Sequence, residues 1–272
     1  MNASRVTPPA TRAVLIGPSL YEVDSVTGRT RYRTRRRSVS EIVEHNAFLQ
    51  RLSPNQRDDL LAAGQLRRYH RKDLLRGSIS SLVHVVLSGC VAEEATYGDS
   101  TTVRILGTGS VLGDMEICDG SLITPTTRCL NTTLTLAMPM ERIRLLSEAS
   151  PALALAIGAS VTERLKNAEK VYNRSALRPE ERLAGLFMHL LRTCAVPCKE
   201  FGRMLEGPSQ QDLADALAVS RATIEGALRE LRREELVVTG YRTFQFPSEA
   251  LLADFGKVRM PTMRVTGESS QR

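Results

Sequence analysis

The chain has 272 residues, enough for two domains of about 100–150 residues each, and a net charge of +7. Apolar residues make up 42% of it and charged residues 25%, which predicts a globular protein with a packed core. No apolar run reaches the roughly 18–20 residues needed to span a bilayer, and the polar N-terminus has no secretory-signal pattern. The composition therefore excludes a membrane protein and predicts a cytoplasmic one.

Positive charge is concentrated in residues 1–40, which carry eight arginines against Glu22 and Asp24. Pro, Ser and Thr are frequent in the same segment, and no period of 2 or 3.6 is sustained. Residues 1–40 are therefore predicted to form a disordered basic arm. Such an arm is either an auxiliary contact to DNA phosphates or a solvated tail without a defined partner.

Five cysteines are spread through the chain, and their odd number favours reduced thiols over a disulfide framework. Cys194 and Cys198 form a C-x3-C pair that either binds a metal, responds to oxidants or has no special role. No C-x2-C or H-x3-H pair accompanies it, so no metal site is predicted.

Residues 41–145 are predicted to form a small barrel preceded by a helix. Ser53 is a suitable N-cap for a helix from Pro54 to about Ala63. From Leu66 to Pro139, short runs of alternating apolar residues are separated by glycine-containing turns. This spacing is typical of a barrel or jelly roll.

A long helix is predicted from about Pro151 to Ser175, within a segment 146–177. Apolar residues recur along it at intervals of 3 and 4, a narrow seam typical of a helix that pairs with another. The alternative is a helix that packs on its own barrel. The predicted dimer-interface residues are Ile157, Val161, Leu165, Ala168 and Tyr172.

Residues 178–250 are predicted to hold a winged helix-turn-helix, followed by a flexible tail over 251–272. Ser209 and Asp212 form a capping-box pattern at the start of one short helix, and Ser220 is placed to cap a second. The second helix of such a motif enters the major groove of DNA. The run from Val237 to Phe244, interrupted by Gly240, predicts the wing hairpin, with Arg242 near a phosphate.

Taken together, residues 45–250 resemble the Crp/Fnr family of transcriptional regulators. The matching segments are FLQRLSP at Phe48–Pro54, VVLSG at Val85–Gly89, GSVLGD at Gly109–Asp114, EKV at Glu169–Val171, and Ser220-Arg221-x-Thr223-Ile224. The resemblance implies an α+β chain with a cyclic-nucleotide-binding-like β-roll (a double-stranded jelly roll), a long dimerisation helix and a C-terminal winged helix-turn-helix.

The resemblance also implies a palindromic double-stranded DNA operator bound by a homodimer, with Arg221 reading guanine and Thr223 holding a phosphate. The predicted DNA-binding residues are Ser209, Gln210, Ser220, Arg221, Ala222, Thr223, Glu225, Gly226, Arg229 and Arg242. Ala222 and Gly226 stand where the family usually has Glu and Arg, so the operator of the cyclic-AMP receptor is not expected. Ala218 replaces a common turn glycine.

For the barrel, the resemblance marks the position of a cyclic-nucleotide pocket. The candidate effector-pocket residues are Gly113, Asp114, Thr124, Thr126, Thr127, Arg128 and Asn167. No arginine stands at the position that binds the cyclic phosphate in the family, where this chain has Thr124-Pro125, or Ile123-Thr124 if the alignment shifts by one residue. Because an unpaired buried phosphate costs several kcal/mol, cyclic AMP is not expected as a ligand.

No other cofactor is evident. The iron-sulfur branch of the family needs clustered N-terminal cysteines, and none precedes Cys90; His84 is the one candidate haem ligand in the strand region. What remains is another small-molecule effector, a protein partner or an unliganded barrel.

Two other classes of function compete with this interpretation. A cupin-type metalloenzyme would need clustered His and carboxylate ligands, which the four histidines do not provide, so no enzyme is predicted. A regulator that works mainly by binding RNA polymerase or another regulator remains an alternative, because Leu205–Gln245 has five arginines against seven acidic residues. Either regulator is expected in the cytoplasm, associated with the nucleoid.

Overall fold

The structure, a computed structural model, describes residues 14–23, 30–37, 42, 45–77, 79–120 and 125–258. Its N-terminal barrel consists of two four-stranded antiparallel sheets, with strand orders β3-β10-β5-β8 and β4-β9-β6-β7. The strands are β3 (Gln65–Tyr69), β4 (Leu74–Arg76), β5 (Leu82–Ser88), β6 (Cys90–Tyr97), β7 (Ser100–Gly107), β8 (Val111–Leu112), β9 (Thr126–Cys129) and β10 (Thr133–Pro139). The predicted jelly-roll fold class is confirmed.

Apolar side chains fill the space between these two sheets, and helices cover the outer side of one of them. Leu75, Val91 and Cys129 of one sheet meet Val86 and Leu112 of the other in one buried cluster. The outer side of the β3-β10-β5-β8 sheet packs against helices α1 (Pro54–Ala63), α3 (Met140–Ala149) and α4 (Pro151–Asn167). The short helix α2 (Asp114–Asp119) follows β8.

Helix α1 begins as the sequence predicts. The Ser53 hydroxyl accepts a hydrogen bond from the Gln56 amide, and the Gln56 side chain accepts one from the Ser53 amide. Pro54 lies in the first turn, where its missing amide hydrogen has no cost.

The C-terminal domain contains four helices and a four-stranded sheet of order β11-β12-β14-β13. Its helices are α5 (Pro179–Thr193), α6 (Gln210–Leu217), α7 (Arg221–Arg233) and α8 (Glu249–Phe255). Its strands are β11 (Ala195–Cys198), β12 (Gly202–Glu206), β13 (Val238–Gly240) and β14 (Thr243–Gln245). Helices α6 and α7 form the predicted helix-turn-helix, and β13 with β14 forms the predicted wing.

The prediction of disorder throughout residues 1–40 is wrong for part of that segment. Strands β1 (Val14–Val23) and β2 (Thr30–Arg37) pair in an antiparallel hairpin. Strand β1 is rich in Val, Leu and Tyr, and β2 places Thr and Tyr at every second position between arginines. Branched and aromatic residues at that spacing favour strands, and this outweighed the high charge on which the disorder prediction rested.

Two further boundaries differ from the sequence predictions. The long helix keeps α-helical geometry only to Asn167, continues as a π-helical segment over Ala168–Tyr172, and ends before Ser175. Residues assigned to a flexible tail instead form α8, which is capped by Ser248 and buries Leu252 and Ala253 against the domain core. The hairpin β11–β12 has no counterpart in the sequence predictions.

Ala218 adopts a left-handed conformation at the turn between α6 and α7, with a φ of 51°. Glycine is the usual residue for this conformation because a Cβ atom makes it less favourable by about 1 kcal/mol. The turn therefore keeps the backbone geometry of a helix-turn-helix despite the alanine. No helix in the described part of the chain is both long and apolar enough to cross a membrane.

Candidate nucleic-acid interface and barrel pocket

The recognition helix α7 is held by its cap and its inner face. The Ser220 hydroxyl accepts a hydrogen bond from the Thr223 amide at 3.0 Å and lies 2.8 Å from the Thr223 hydroxyl. Ile224, Leu228 and Leu231 are almost fully buried on the inner face. The first turn of α7 is thereby fixed with its outer face in solvent.

Arg221 is the most prominent cation of that first turn. Its side chain is 64% exposed, and its Nε donates to Glu225 Oε1 at 3.0 Å, one turn along the helix. The two side chains form an extended polar pair next to the small residues Ala222 and Gly226. Arg229 is exposed two turns after the start of the helix. Ser220, Arg221, Ala222 and Gly226 are exposed with it, and Thr223 and Glu225 are half-buried.

The first helix of the motif, α6, begins with a reciprocal cap. The Ser209 hydroxyl accepts from the Asp212 amide, while Asp212 Oδ2 accepts from the Ser209 amide at 2.6 Å. Gln210 follows in the first turn and is half-buried. The capping box predicted from the sequence is therefore present.

The wing differs from the expectation for Arg242. Instead of extending toward a phosphate, Arg242 Nη2 lies 3.3 Å from Asp212 Oδ2, and 23% of the side chain is exposed. The exposed side chain at the wing tip is that of Tyr241, at 87%. The sequence interpretation missed Tyr241, although its position between two short strands was a usable signal.

A buried ion network occupies the barrel beside α2. The guanidinium of Arg164, from the long helix α4, bonds to Asp114 at 2.9 Å, to Glu93, and to the Val111 carbonyl at 3.0 Å. Ser160 donates to the second oxygen of Asp114 at 3.0 Å. Arg164, Glu93 and Asp114 are each less than a tenth exposed.

The electrostatics of this network disfavour added negative charge. Burial raises the pKa of Glu93 and of Asp114, and Arg164 opposes both shifts. A second buried pair, Arg76 with Glu116 at 2.9 Å, lies next to it, so three carboxylates face two guanidinium groups. Both of these guanidinium groups are thus already neutralised by the chain itself.

A small cavity lies beside the network among the described residues. It measures about 90 Å³ and is lined by Glu93, Ala95, Thr102, Arg104, Met115 and Pro125. Pockets that hold drug-sized ligands typically measure about 300 Å³ or more. This cavity alone is therefore too small for a nucleotide.

The predicted effector-pocket residues do not converge on one site. Asp114 belongs to the ion network, and Gly113, with a φ of 99°, packs against the guanidinium of Arg76. Arg128 leaves the barrel to contact Asp212, and Asn167 lines separate cavities near the start of the π-helical segment. Thr126 and Thr127 lie on strand β9, and Thr124 lies outside the described residues. Arg128 and Asn167 therefore do not line a common cavity within one protomer, and the effector-pocket assignment stays a prediction.

The predicted dimer seam is also partly buried within the protomer. Ile157 is 1% exposed and packs in the cluster between the helices and the outer side of the barrel sheet. The Tyr172 hydroxyl bonds to the amide and carbonyl of Ile105 at 3.1 and 3.2 Å. Val161 and Ala168 are half-buried, while Leu165 is 62% exposed. The seam was misplaced because barrel packing uses part of the same apolar periodicity.

His84 is buried inside the barrel and not placed as an accessible ligand. Its Nδ1 lies 3.1 Å from the Thr135 hydroxyl, and burial with nearby Arg76 lowers its pKa to about 4. The ring is therefore neutral near pH 7. No cluster of three metal-ligating side chains occurs among the described residues.

Comparison with known proteins agrees with this architecture. The family model of the Crp-like helix-turn-helix domain matches residues 181–255. A global nitrogen regulator from Nostoc sp. is 24% identical over 166 residues, which are 59% of this chain and 74% of the relative.

Solved structures share the fold at low sequence identity. FixK2 from Bradyrhizobium japonicum aligns with a TM-score of 0.59 and 18% identity, over 71% of this chain and 96% of that one. A transcriptional regulator of the CRP family from Thermus thermophilus aligns with a TM-score of 0.58 and 20% identity, over 70% of this chain and 96% of that one.

A jelly-roll barrel, a long helix and a winged helix-turn-helix follow one another in this order, and the helix-turn-helix is a motif whose second helix enters the major groove of DNA. The match of the family model identifies residues 181–255 as a Crp-like helix-turn-helix domain.

The ion network predicts a large effect of one substitution. Arg164→Met leaves Glu93 and Asp114 buried without their cation, so we expect the free energy of unfolding at pH 7 to fall by about 3–5 kcal/mol. The loss should shrink as the pH is lowered, because the raised pKa values of both carboxyls mean that they take up protons in the folded state. Urea unfolding at several pH values measures both effects.

Lys166→Met is the matched control, since Lys166 is an exposed cation two residues further along the same helix. We expect it to change the free energy of unfolding by less than about 0.5 kcal/mol. An equally small effect of Arg164→Met would contradict the structural role given to the network.

Proposed function

We propose that this protein is a homodimeric, sequence-specific DNA-binding regulator whose activity is not controlled by cyclic AMP. The observation that carries the proposal is Arg221, largely exposed on the first turn of a recognition helix that is fixed by its cap and its buried face. Residues in this turn of a helix-turn-helix reach base edges in the major groove.

The polar residues of α7 suggest how bases are read. Arg221 suits bidentate bonds to guanine O6 and N7, and the carboxylate of Glu225 suits the amino group of cytosine. Ala222 and Gly226 offer no polar group, so the Arg221–Glu225 pair replaces the contacts that Glu and Arg make at those two positions in the family. The operator should accordingly differ from that of the cyclic-AMP receptor.

Phosphate binding needs more positive charge than the helix-turn-helix provides, since affinity for DNA depends largely on neutralised phosphates. Strand β2 carries arginine at Arg31, Arg33 and Arg35–Arg37, and its partner β1 lies beside β11 of the DNA-binding domain. We assign to this hairpin the role of an auxiliary DNA contact.

Dimerisation is proposed to use the face of α4 that points away from the barrel. Leu155 and Leu165 are 75% and 62% exposed there, and Gly158 and Thr162 lie between them at intervals of three and four residues. This is the heptad spacing of helices that pair in parallel or antiparallel coiled coils. A second copy of the chain, paired through this face, would place the two recognition helices on the two halves of a palindromic operator.

Independence from cyclic AMP is supported by the ion network. A cyclic phosphate entering the barrel would meet three buried carboxylates, and it could pair with Arg164 or Arg76 only by displacing Glu93, Asp114 or Glu116. Leaving such a carboxylate buried and unpaired costs several kcal/mol. Arg104 is a further cation in the lining of the small cavity beside Glu93.

The acidic character of the C-terminal domain favours one alternative function. Around Arg233, the residues Glu230 and Glu234 neutralise the cation by ion pairs, which removes it from phosphate binding. The alternative is a regulator that contacts RNA polymerase or another regulator and binds DNA weakly. Either activity would place the protein at the nucleoid in the cytoplasm.

The DNA-reading role of Arg221 is tested by Arg221→Ala. We expect operator affinity to fall by about 5–150-fold, the equivalent of about 1–3 kcal/mol, with loss of preference for guanine at one position of each half-site. Fluorescence anisotropy with operator and scrambled duplexes measures both. Arg233→Ala, on the same helix, should leave sequence preference intact; an unchanged preference in Arg221→Ala would refute the assignment.

The dimer interface is tested by Leu155→Glu combined with Leu165→Glu. Two carboxylates in the seam should convert the dimer to monomer in sedimentation-velocity experiments, because like charges would face each other across the two-fold axis. Leu251→Glu, at a 60% exposed leucine of α8, is the control and should remain dimeric. A dimeric double variant would show that another surface pairs the protomers.

A further inference from the structure

One ion pair links the barrel to the helix-turn-helix among the described residues. Arg128, on β9, donates from Nε to Glu94 of the neighbouring strand at 3.0 Å and from Nη2 to Asp212 of α6 at 2.7 Å. Asp212 is 6% exposed and Arg128 34%. A barrel arginine is therefore bonded directly to the first turn of the DNA-binding motif.

Asp212 connects three parts of the protein through its two oxygens. Oδ1 accepts from Arg128, while Oδ2 accepts from the amide and hydroxyl of Ser209 and lies 3.3 Å from Arg242 of the wing. Burial acts to raise the pKa of Asp212, but the bonds from Ser209 and Arg128 outweigh it and the pKa lies below its ordinary value. The carboxylate is thus charged at neutral pH and holds barrel, helix cap and wing together.

The surrounding interface fixes the distance between the domains. Ile105 and Leu130 of the barrel share one buried cluster with Phe187 and Leu213 of the C-terminal domain. Asn131 donates to the Glu206 carbonyl at 3.0 Å, and the Thr108 amide donates to the Thr193 carbonyl at 2.8 Å. The apolar part of this interface resists separation of the two domains but tolerates small rotations of one domain against the other. Directional bonds between charged groups restrict such rotations.

We propose that Arg128 and Asp212 are positioning residues for DNA binding, which orient the helix-turn-helix on the barrel. The proposal rests on the DNA-binding function proposed above. A dimer binds well only if its two recognition helices match half-sites about one helical turn apart, so a domain free to rotate loses affinity. The sequence predicts Arg128 to lie in the effector pocket; its proposed role is instead to orient the DNA-binding domain.

Operator affinity is the first test. Arg128→Gln and Asp212→Asn should each weaken binding about tenfold, without changing which operator is preferred, because Arg221 is untouched. The loss in the double variant should be smaller than the sum of the two single losses, since the two variants remove the same Arg128–Asp212 contact. Arg128→Lys keeps one charged bond and should recover at least half of the lost affinity on a logarithmic scale.

Arg142→Gln is the matched control, because Arg142 is an exposed barrel-domain arginine on α3. It should bind the operator as the unmodified protein does. Losses that add in the double variant, failure of Arg128→Lys to recover affinity, or tighter binding by Arg128→Gln would each overturn the positioning role.

Thiol reactivity gives a second test that does not depend on DNA. Cys90 of the barrel and Cys194 at the end of α5 are buried at the interface, 0% and 3% exposed, and lie within hydrogen-bonding reach of each other. Alkylation followed by peptide mass spectrometry should modify both faster in Arg128→Gln than in the unmodified protein. The exposed Cys118 should react equally in both and serves as internal standard.

The two tests distinguish failure of the proposed DNA-binding function from failure of the positioning role of Arg128 and Asp212. If the unmodified protein binds no operator, the proposed function fails, while faster alkylation of Cys90 and Cys194 in Arg128→Gln still supports the orienting contact. If the operator is bound but neither affinity nor alkylation changes in Arg128→Gln, the positioning role is overturned and the DNA-binding function stands.

Discussion

The contact between Arg164 and two buried carboxylates is the constraint on which the rest of the molecule depends. Charged groups lose several kcal/mol of hydration on burial, so Glu93 and Asp114 require a cation, and α4 supplies it from outside the barrel. Helix α4 is therefore held on the barrel in one rotational setting. That setting buries Ile157 and leaves Leu155 and Leu165 exposed.

The same contact is part of a larger set of buried charges in the barrel. Arg164 pairs with Glu93 and Asp114, and Arg76 pairs with Glu116. The barrel then serves as a scaffold for α4 and, through Arg128, for the helix-turn-helix.

Local features of the structure could be predicted from sequence because they depend on neighbouring residues. The caps at Ser53, Ser209 and Ser220 formed as expected, since each needs only a hydroxyl and an amide three residues away. The strands around Val85 and the glycine turns followed in the same way from period-2 alternation.

Contacts between distant residues were not predictable in this way. Arg164 and Glu93 are 71 positions apart, and Arg128 and Asp212 are 84 apart, so no local pattern links them. The apolar periodicity of α4 indicated a buried face but could not distinguish packing on the barrel from packing on a second protomer, which is why Ile157 and Tyr172 were misassigned. The ion pair of Arg242 was not predictable for a related reason, since its carboxylate partner lies 30 residues away.

The most direct test of the central claim is selection of genomic DNA fragments by the purified protein, with and without added cyclic AMP. We expect recovery of one roughly palindromic motif, equally enriched in both conditions, because a cyclic phosphate entering the barrel would have to displace a buried carboxylate from its arginine. Enrichment that requires cyclic AMP would contradict it, since the nucleotide would then have displaced Arg164 or its carboxylates.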